Sequence, residues 1–186
     1  HRKARPRRPL PGMLLHTDAS THAWIPELVG RQDLIAVLDD ATSVVYYARF
    51  VPQESTTTMM AALQAVVEQQ GLFCALYTDH GSHFLTTRTG RSSHRPQQAT
   101  DPTQIQRALG QLGITLIGAH SPQARGRMER FWETWQGRLP QELRLAGIGT
   151  VEGANAFLVQ TWVPLHNRTW TVPAAGEGTA FISYVG

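Results

Sequence analysis

A single cysteine, Cys74, occurs among 186 residues. No internal disulfide can form, no cysteine-rich metal module exists, and a reducing cytosol fits. No apolar run approaches the length of a membrane span, and no signal-like apolar stretch comes after the positive start, so neither export nor insertion is expected. No internal repeat is evident. Acid is absent from the first eight residues, where Arg2, Lys3, Arg5, Arg7 and Arg8 hold five of the 17 cations. The formal charge of +3 is therefore a property of this leader, because the remainder of the chain carries all 14 acids. Pro6, Pro9 and Pro11 forbid a long helix there. Residues 1–12 read as a semi-extended basic linker able to lie along a phosphate backbone, with a solvated, solubilising tail as the plainer alternative. The chain starts at His1 rather than Met, which suggests a fragment.

The length suits one full hydrophobic core. Met13–Asp18, Leu34–Asp39 and Val44–Val51 read as strands of a meander, with a tight turn over Asp40–Ser43. Ala19–Asp33 lacks periodicity and reads as a long connection. Ser55 caps an expected helix striped by Met59, Ala62, Leu63 and Val66, which Gly71 ends. Phe73–Thr78 then reads as a strand parallel to the first. Asp101, with Pro102 and Gln104, is placed to open a helix striped by Ile105 and Leu109. Ile114–Ile117 is expected as a fifth strand. Gln123 to about Leu143 reads as a long helix with Met128, Phe131, Trp132, Trp135 and Leu139 inward and a kink or break at Pro140. Thr150 can cap a last helix bearing Trp162, before a turn-rich end from Pro164. Trp170, among those turn formers, is a candidate interface residue. Thr86–Thr100, with Arg88, Arg91, His94 and Arg95, has no apolar rhythm and reads as a mobile basic insertion.

Three acidic signatures recur in order: Leu14-Leu15-His16-Thr17-Asp18, Ala75-Leu76-Tyr77-Thr78-Asp79-His80-Gly81-Ser82-His83-Phe84, and Ser121-Pro122-Gln123-Ala124-Arg125-Gly126-Arg127-Met128-Glu129-Arg130-Phe131. Two apolar strand-like runs end in Asp, and the third carboxylate lies in an amphipathic helix. A sheet and one crossing helix can therefore gather Asp18, Asp79 and Glu129. Hard carboxylate oxygens suit Mg²⁺ or Mn²⁺, and two such ions flank the scissile bond in phosphodiester chemistry. Asp39 or Asp40 is the rival at the first position and Glu133 the rival at the third. Arg125, Arg127 and Arg130 border Glu129 and, with the leader's Arg2, Lys3, Arg5, Arg7 and Arg8, are candidate contacts to DNA phosphates. His80, His83, His94 and His120 lack the ligand spacing of a zinc site. Trp132 and Trp135 can stack bases, but their helical spacing favours the core.

From Met13 to about Trp162 these motifs resemble the catalytic core of the integrase and insertion-sequence transposase superfamily. The segment His166-Asn167-Arg168-Thr169-Trp170-Thr171-Val172-Pro173 resembles the stretch directly after that core in some bacterial transposases. The resemblance implies an α/β, ribonuclease-H-like fold with a mixed five-stranded sheet flanked by helices, spanning 13–165 and succeeded by an extension at 166–186. It also implies a two-metal Mg²⁺ or Mn²⁺ site on Asp18, Asp79 and Glu129, with DNA strand cleavage and 3′-OH transfer as the reaction. By the same resemblance the partners are element ends and target DNA, the assembly is a homodimer or larger, no membrane is involved, and the place is the bacterial cytoplasm at the nucleoid. Asp39-Asp40-Ala41-Thr42-Ser43 matches a structural turn rather than ligands. The chain departs from the family at His80 and His83, usually Asn and Glu, at Arg127, often Lys, and in the length between Asp79 and Glu129. A ribonuclease-H-like hydrolytic nuclease and a catalytically impaired DNA-binding or assembly module are the alternatives.

Overall fold

The computed structural model describes residues 5–78, 102–118 and 122–184, with side chains of the helix at Pro122 described from Gly126 onward. Its elements are β1 (Leu15–His22), β2 (Gln32–Asp39), β3 (Val45–Val51), α1 (Thr56–Gln70), β4 (Ala75–Thr78), α2 (Gln104–Gln111), β5 (Thr115–Gly118), α3 (Pro122–Leu145), α4 (Val151–Phe157), a π-helical turn (Leu158–Trp162) and α5 (Val163–Thr169). The five strands form one sheet in the order β3-β2-β1-β4-β5. β1, β2 and β3 pair antiparallel, and β4 joins β1 and β5 in parallel. This is the mixed, helix-flanked sheet that the motifs imply.

The interior strand β2 has no polar alternation over Leu34–Leu38 because both its faces are covered. Leu34, Ala36 and Leu38 meet Trp24, Phe50, Trp135 and Trp162 beneath α3 and α4. Ile35 and Val37 meet Leu15, Met59, Val66, Ile105 and Leu109 beneath α1 and α2. Ser55 caps α1 reciprocally with Thr58: its Oγ accepts from Thr58 N at 3.1 Å, and Thr58 Oγ1 accepts from Ser55 N at 2.9 Å. Gly71 ends the helix at φ 99°, where a Cβ would stand 2.3 Å from Ile182 O. Glycine is required there on both counts.

Several boundaries differ from the sequence expectation. β1 continues four residues past Asp18, because its polar outer half stays paired with β2 as far as His22–Gln32. Asp18 is thus mid-strand. The cap of α2 is Thr103, whose Oγ1 accepts from Gln106 N while Gln106 Oε1 accepts from Thr103 N, so the capping box lies two residues beyond Asp101. α3 runs through Pro140 to Leu145 without a break. The helical path also continues past Pro164, which occupies the first turn of α5, where a missing N–H costs little. The wide π turn ends two residues before that proline. Trp170 packs against the aromatic core, 5.7 Å from Trp162 and 5.5 Å from His166 between ring centroids.

Two asparagines close the sheet's β3 edge. Asn155 exchanges both amide hydrogen bonds with the Phe50 backbone, at 2.8 and 3.1 Å, and Asn167 does the same with Val45, at 2.8 and 3.0 Å. Twelve helical residues advance about 18 Å, and five strand residues about 17 Å. The α4–α5 path therefore runs antiparallel to β3 at a matching pitch and blunts the edge. The leader and the C-terminal segment lie side by side: Gly176 N donates to Pro9 O at 2.9 Å and Ala180 N to Pro11 O at 2.8 Å.

Candidate functional site

His16, Asp18 and Ser20 alternate on β1 and pair with Leu38, Ala36 and Leu34, which places all three on the face covered by α3. Trp132 Nε1 donates to Asp18 Oδ2 at 3.0 Å, and Gln136 Nε2 donates to Ser20 Oγ at 2.9 Å. These donors are one turn apart on α3, as their acceptors are two residues apart on β1, so helix and strand are tied along the carboxylate side. Glu129 lies three residues before Trp132, on an exposed part of the same helix, and no described residue bonds to it. Asp79 lies outside the described residues. Its neighbour Thr78 ends β4, which pairs with β1 in the register Leu15–Leu76 and His16–Tyr77. His80, His83, His94, His120, the Thr86–Thr100 segment, Arg2, Lys3 and the Arg125 side chain also lie outside that set. Among the described residues, no group of three His, Cys, Asp or Glu side chains is placed to hold a metal ion.

The rival acids at the first position have other work. Asp39 shapes the β2–β3 turn: Oδ1 accepts from Ala41 N at 2.8 Å and Thr42 N at 3.0 Å, and Oδ2 from Gly12 N at 2.9 Å. Asp40 is fully buried and collects the Arg5 guanidinium, Arg127 Nε at 2.8 Å, His16 Nε2 at 2.7 Å and Arg8 N at 2.7 Å. Burial alone would raise the Asp40 pKa. The hydrogen bonds from His16, Arg127 and Arg8 outweigh it and hold the carboxyl well below the usual range. Burial lowers the His16 pKa against the pull of Asp40. With two guanidiniums already on Asp40, the imidazole is neutral and donates through Nε2, leaving Nδ1 buried without a partner.

The candidate phosphate contacts divide accordingly. Arg127, with its side chain 10% exposed, is committed to Asp40 and to Arg5 O. Arg7 reaches Asp40 O and Ser43 Oγ, so from Arg5 onward the leader is docked on the β2–β3 turn. Arg130 is exposed, and among the described residues its Nε bonds only to Gly126 O within its own helix. Trp132 and Trp135 are core residues, 7% and 0% exposed. The role of Trp132 as a partner of Asp18 had no signature of its own in the sequence; its three-residue offset from Glu129 is the one available hint.

No family model matches the chain. It is 36% identical over 169 residues to a candidate transposase of Sinorhizobium fredii, a match covering 91% of this chain and 36% of that protein. It is 37% identical over 158 residues to a transposase for an insertion sequence of Streptococcus pneumoniae, covering 84% and 32%. The chain thus spans about a third of the length of these relatives. Among solved structures, a chain of the simian T-cell lymphotropic virus intasome, solved in complex with the PP2A regulatory subunit B56 gamma, superposes with a TM-score of 0.64 at 17% identity, over 86% of this chain and 50% of that one. The HTLV-2 integrase catalytic core domain, solved with magnesium, gives 0.58 at 15% identity, over 82% and 89%. The BIV integrase core gives 0.53 at 20% identity, over 78% and 79%. At such identities these are likenesses of fold.

Proposed function

For a chain that belongs to the ribonuclease-H-like integrase and transposase superfamily, we propose a DNA-processing domain that cleaves a strand and transfers its 3′-OH end, with Asp18, Asp79 and Glu129 as the acting carboxylates. The observation that carries this reading is the Trp132–Asp18 hydrogen bond, which sets the α3 turn bearing Glu129 beside the strand bearing Asp18. The donor chemistry fits a hard divalent cation: Asp18 presents carboxylate oxygens whose orientation is fixed by an indole N–H, as outer hydrogen bonds commonly fix metal ligands. Asp18, Asp79 and Glu129 would hold Mg²⁺ or Mn²⁺, and such ions supply activation of an attacking oxygen and stabilisation of a leaving one. Trp132 aims the Asp18 carboxylate, and Gln136 holds the helix to β1 through Ser20. Cations of the leader and α3 draw the phosphate strand. A homodimer or larger assembly would bring two DNA ends together.

The test is strand transfer on end-bearing DNA with Mg²⁺ or Mn²⁺, comparing the intact chain with Asp18→Asn, Asp79→Asn and Glu129→Gln. Loss of joined product by at least 100-fold in each is expected; equal activity in all four sinks the assignment. Cut strands without joined ones would mark a hydrolytic nuclease instead.

A second reading is a DNA-binding or assembly module without strand chemistry. It is favoured by the absence, among the described residues, of a three-membered ligand group. Calorimetric Mg²⁺ or Mn²⁺ titration separates the two, because only the enzyme loses metal binding in the three carboxylate variants.

A further inference from the structure

On the other flank of α3 the docked leader and the helix enclose a cleft of about 450 Å³. Arg5, Arg7, Arg127 and Arg130 line it together with Thr134 and Trp170, and among the described residues no Asp or Glu lines it. Asp40 pairs with only two of these cations, Arg5 and Arg127, and lies buried behind them. Arg7 and Arg130 have no carboxylate partner among the described residues. Burial and then the charge of Arg127 lower the Arg7 pKa despite Asp40, as expected where cations are crowded beyond their counter-charge. His166 offers nothing further to a ligand, since Nδ1 accepts from Trp135 Nε1 at 3.0 Å and Nε2 donates to Ser43 O at 3.0 Å.

This cleft is separate from the carboxylate side. At about 100° per residue, Arg127, Arg130, Phe131 and Thr134 cluster on one side of α3, and Glu129 lies about 150° around the axis from their centre. Trp132 and Gln136, which touch Asp18 and Ser20, lie between the two on the sheet-facing surface.

We propose that this four-arginine cleft binds the phosphodiester backbone of duplex DNA at a second position, across α3 from the carboxylates. The inference rests on the DNA-processing reading and adds to it where a non-reacting stretch of DNA is held. Guanidiniums drawn from two separate segments suit successive phosphates along a strand, which take forked donors and side-chain hydroxyls without regard to sequence. The leader thereby acts as a built wall of a site, and Asp40 sets the aim of Arg5 and Arg127.

The test is fluorescence anisotropy of a labelled duplex of about 20 base pairs over a potassium chloride series. Arg7→Gln/Arg130→Gln is expected to weaken binding about tenfold at low salt and to reduce the slope of log affinity against log salt by about 2, close to one per phosphate contact. Arg130→Gln alone, which loses only a bond within its own helix, should reduce the slope by about 1 and leave the melting temperature in place. Arg49→Gln, an exposed cation on the α1 side of β3, should change neither quantity. A wild-type chain that binds no duplex overturns both this inference and the DNA-processing reading. Wild-type binding that the double variant leaves unchanged, or that Arg49→Gln reduces equally, overturns the second site alone. Displacement of the duplex by inorganic phosphate at matched ionic strength, with equal potency per phosphate, would show a small-anion pocket and also overturns it.

Discussion

Trp132 and Asp18, 114 residues apart in sequence, are joined by an indole-to-carboxylate hydrogen bond of 3.0 Å. That bond crosses from helix to strand at the point where the candidate chemistry is centred. It gives a residue read from sequence as core a second task.

Trp132→Phe keeps most of the buried ring and removes the donor. A hydrogen bond to a charged acceptor contributes about 1.5–3 kcal/mol, so urea unfolding should show a loss of about 2 kcal/mol. If Asp18 acts on DNA, metal-dependent cleavage should also fall at least tenfold while duplex affinity stays constant. Unaltered cleavage would separate the hydrogen bond from the chemistry.

Asp40→Asn removes the charge shared by Arg5 and Arg127 while preserving shape. Leaving buried cations without their partner typically costs about 3–5 kcal/mol. We expect a loss near the lower end in chemical denaturation, since Arg5 is partly exposed. Trypsin should then cut faster after Arg7 in the native state, because the leader's anchor is weakened; Arg5 and Arg8 each precede a proline, which blocks the protease there. Equal cleavage rates would show that the prolines and the C-terminal segment hold the leader without Asp40.

Stability should decline on mild acidification. His16 and His166 both have pKa values lowered chiefly by burial. In the unfolded chain a histidine takes its proton near pH 6.5. Above that pH both states are neutral at these sites and stability is full. As pH falls, the unfolded chain binds protons that the folded chain refuses, until the lowered folded values are passed. Each site then contributes a slope of up to about 1.4 kcal/mol per pH unit. Melting temperature should therefore drop between pH 6.5 and 5, and Asp40 adds its own loss only below about pH 4, as its depressed carboxyl begins to protonate. A flat profile from pH 7 to 5 would contradict the neutral assignments.

Asn155→Leu and Asn167→Leu each strip two hydrogen bonds from the β3 edge. Each should cost about 2 kcal/mol. The exposed backbone of Phe50 or Val45 should also raise concentration-dependent aggregation, measured by light scattering. Loss of stability without aggregation would mean the helices shield the edge sterically.

Much of this molecule is legible locally. The apolar strand runs, the Ser55 cap, Gly71 and the Trp135-bearing helix stripe are short-range signals, and each has its counterpart in the fold. Boundaries failed where pairing overrode local character, as when β2 carries β1 past Asp18 to His22. The Asp39-Asp40 turn was legible through the resemblance, but its partners were not, since Arg5 and Arg127 reach Asp40 from 35 and 87 residues away.

Sequence alone determined most elements and the order of the three acidic motifs, because periodicity, caps and turn residues act over a few neighbours, and the fold class followed from the resemblance those motifs carry. Only the tertiary structure decided which charges meet. A guanidinium or carboxylate looks the same in a sequence whether it is solvated, buried in a pair or turned toward a cleft, and the difference is set by long-range packing. Thus Arg127 became a buried partner of Asp40 while Arg130, three residues on, remained exposed beside the cleft.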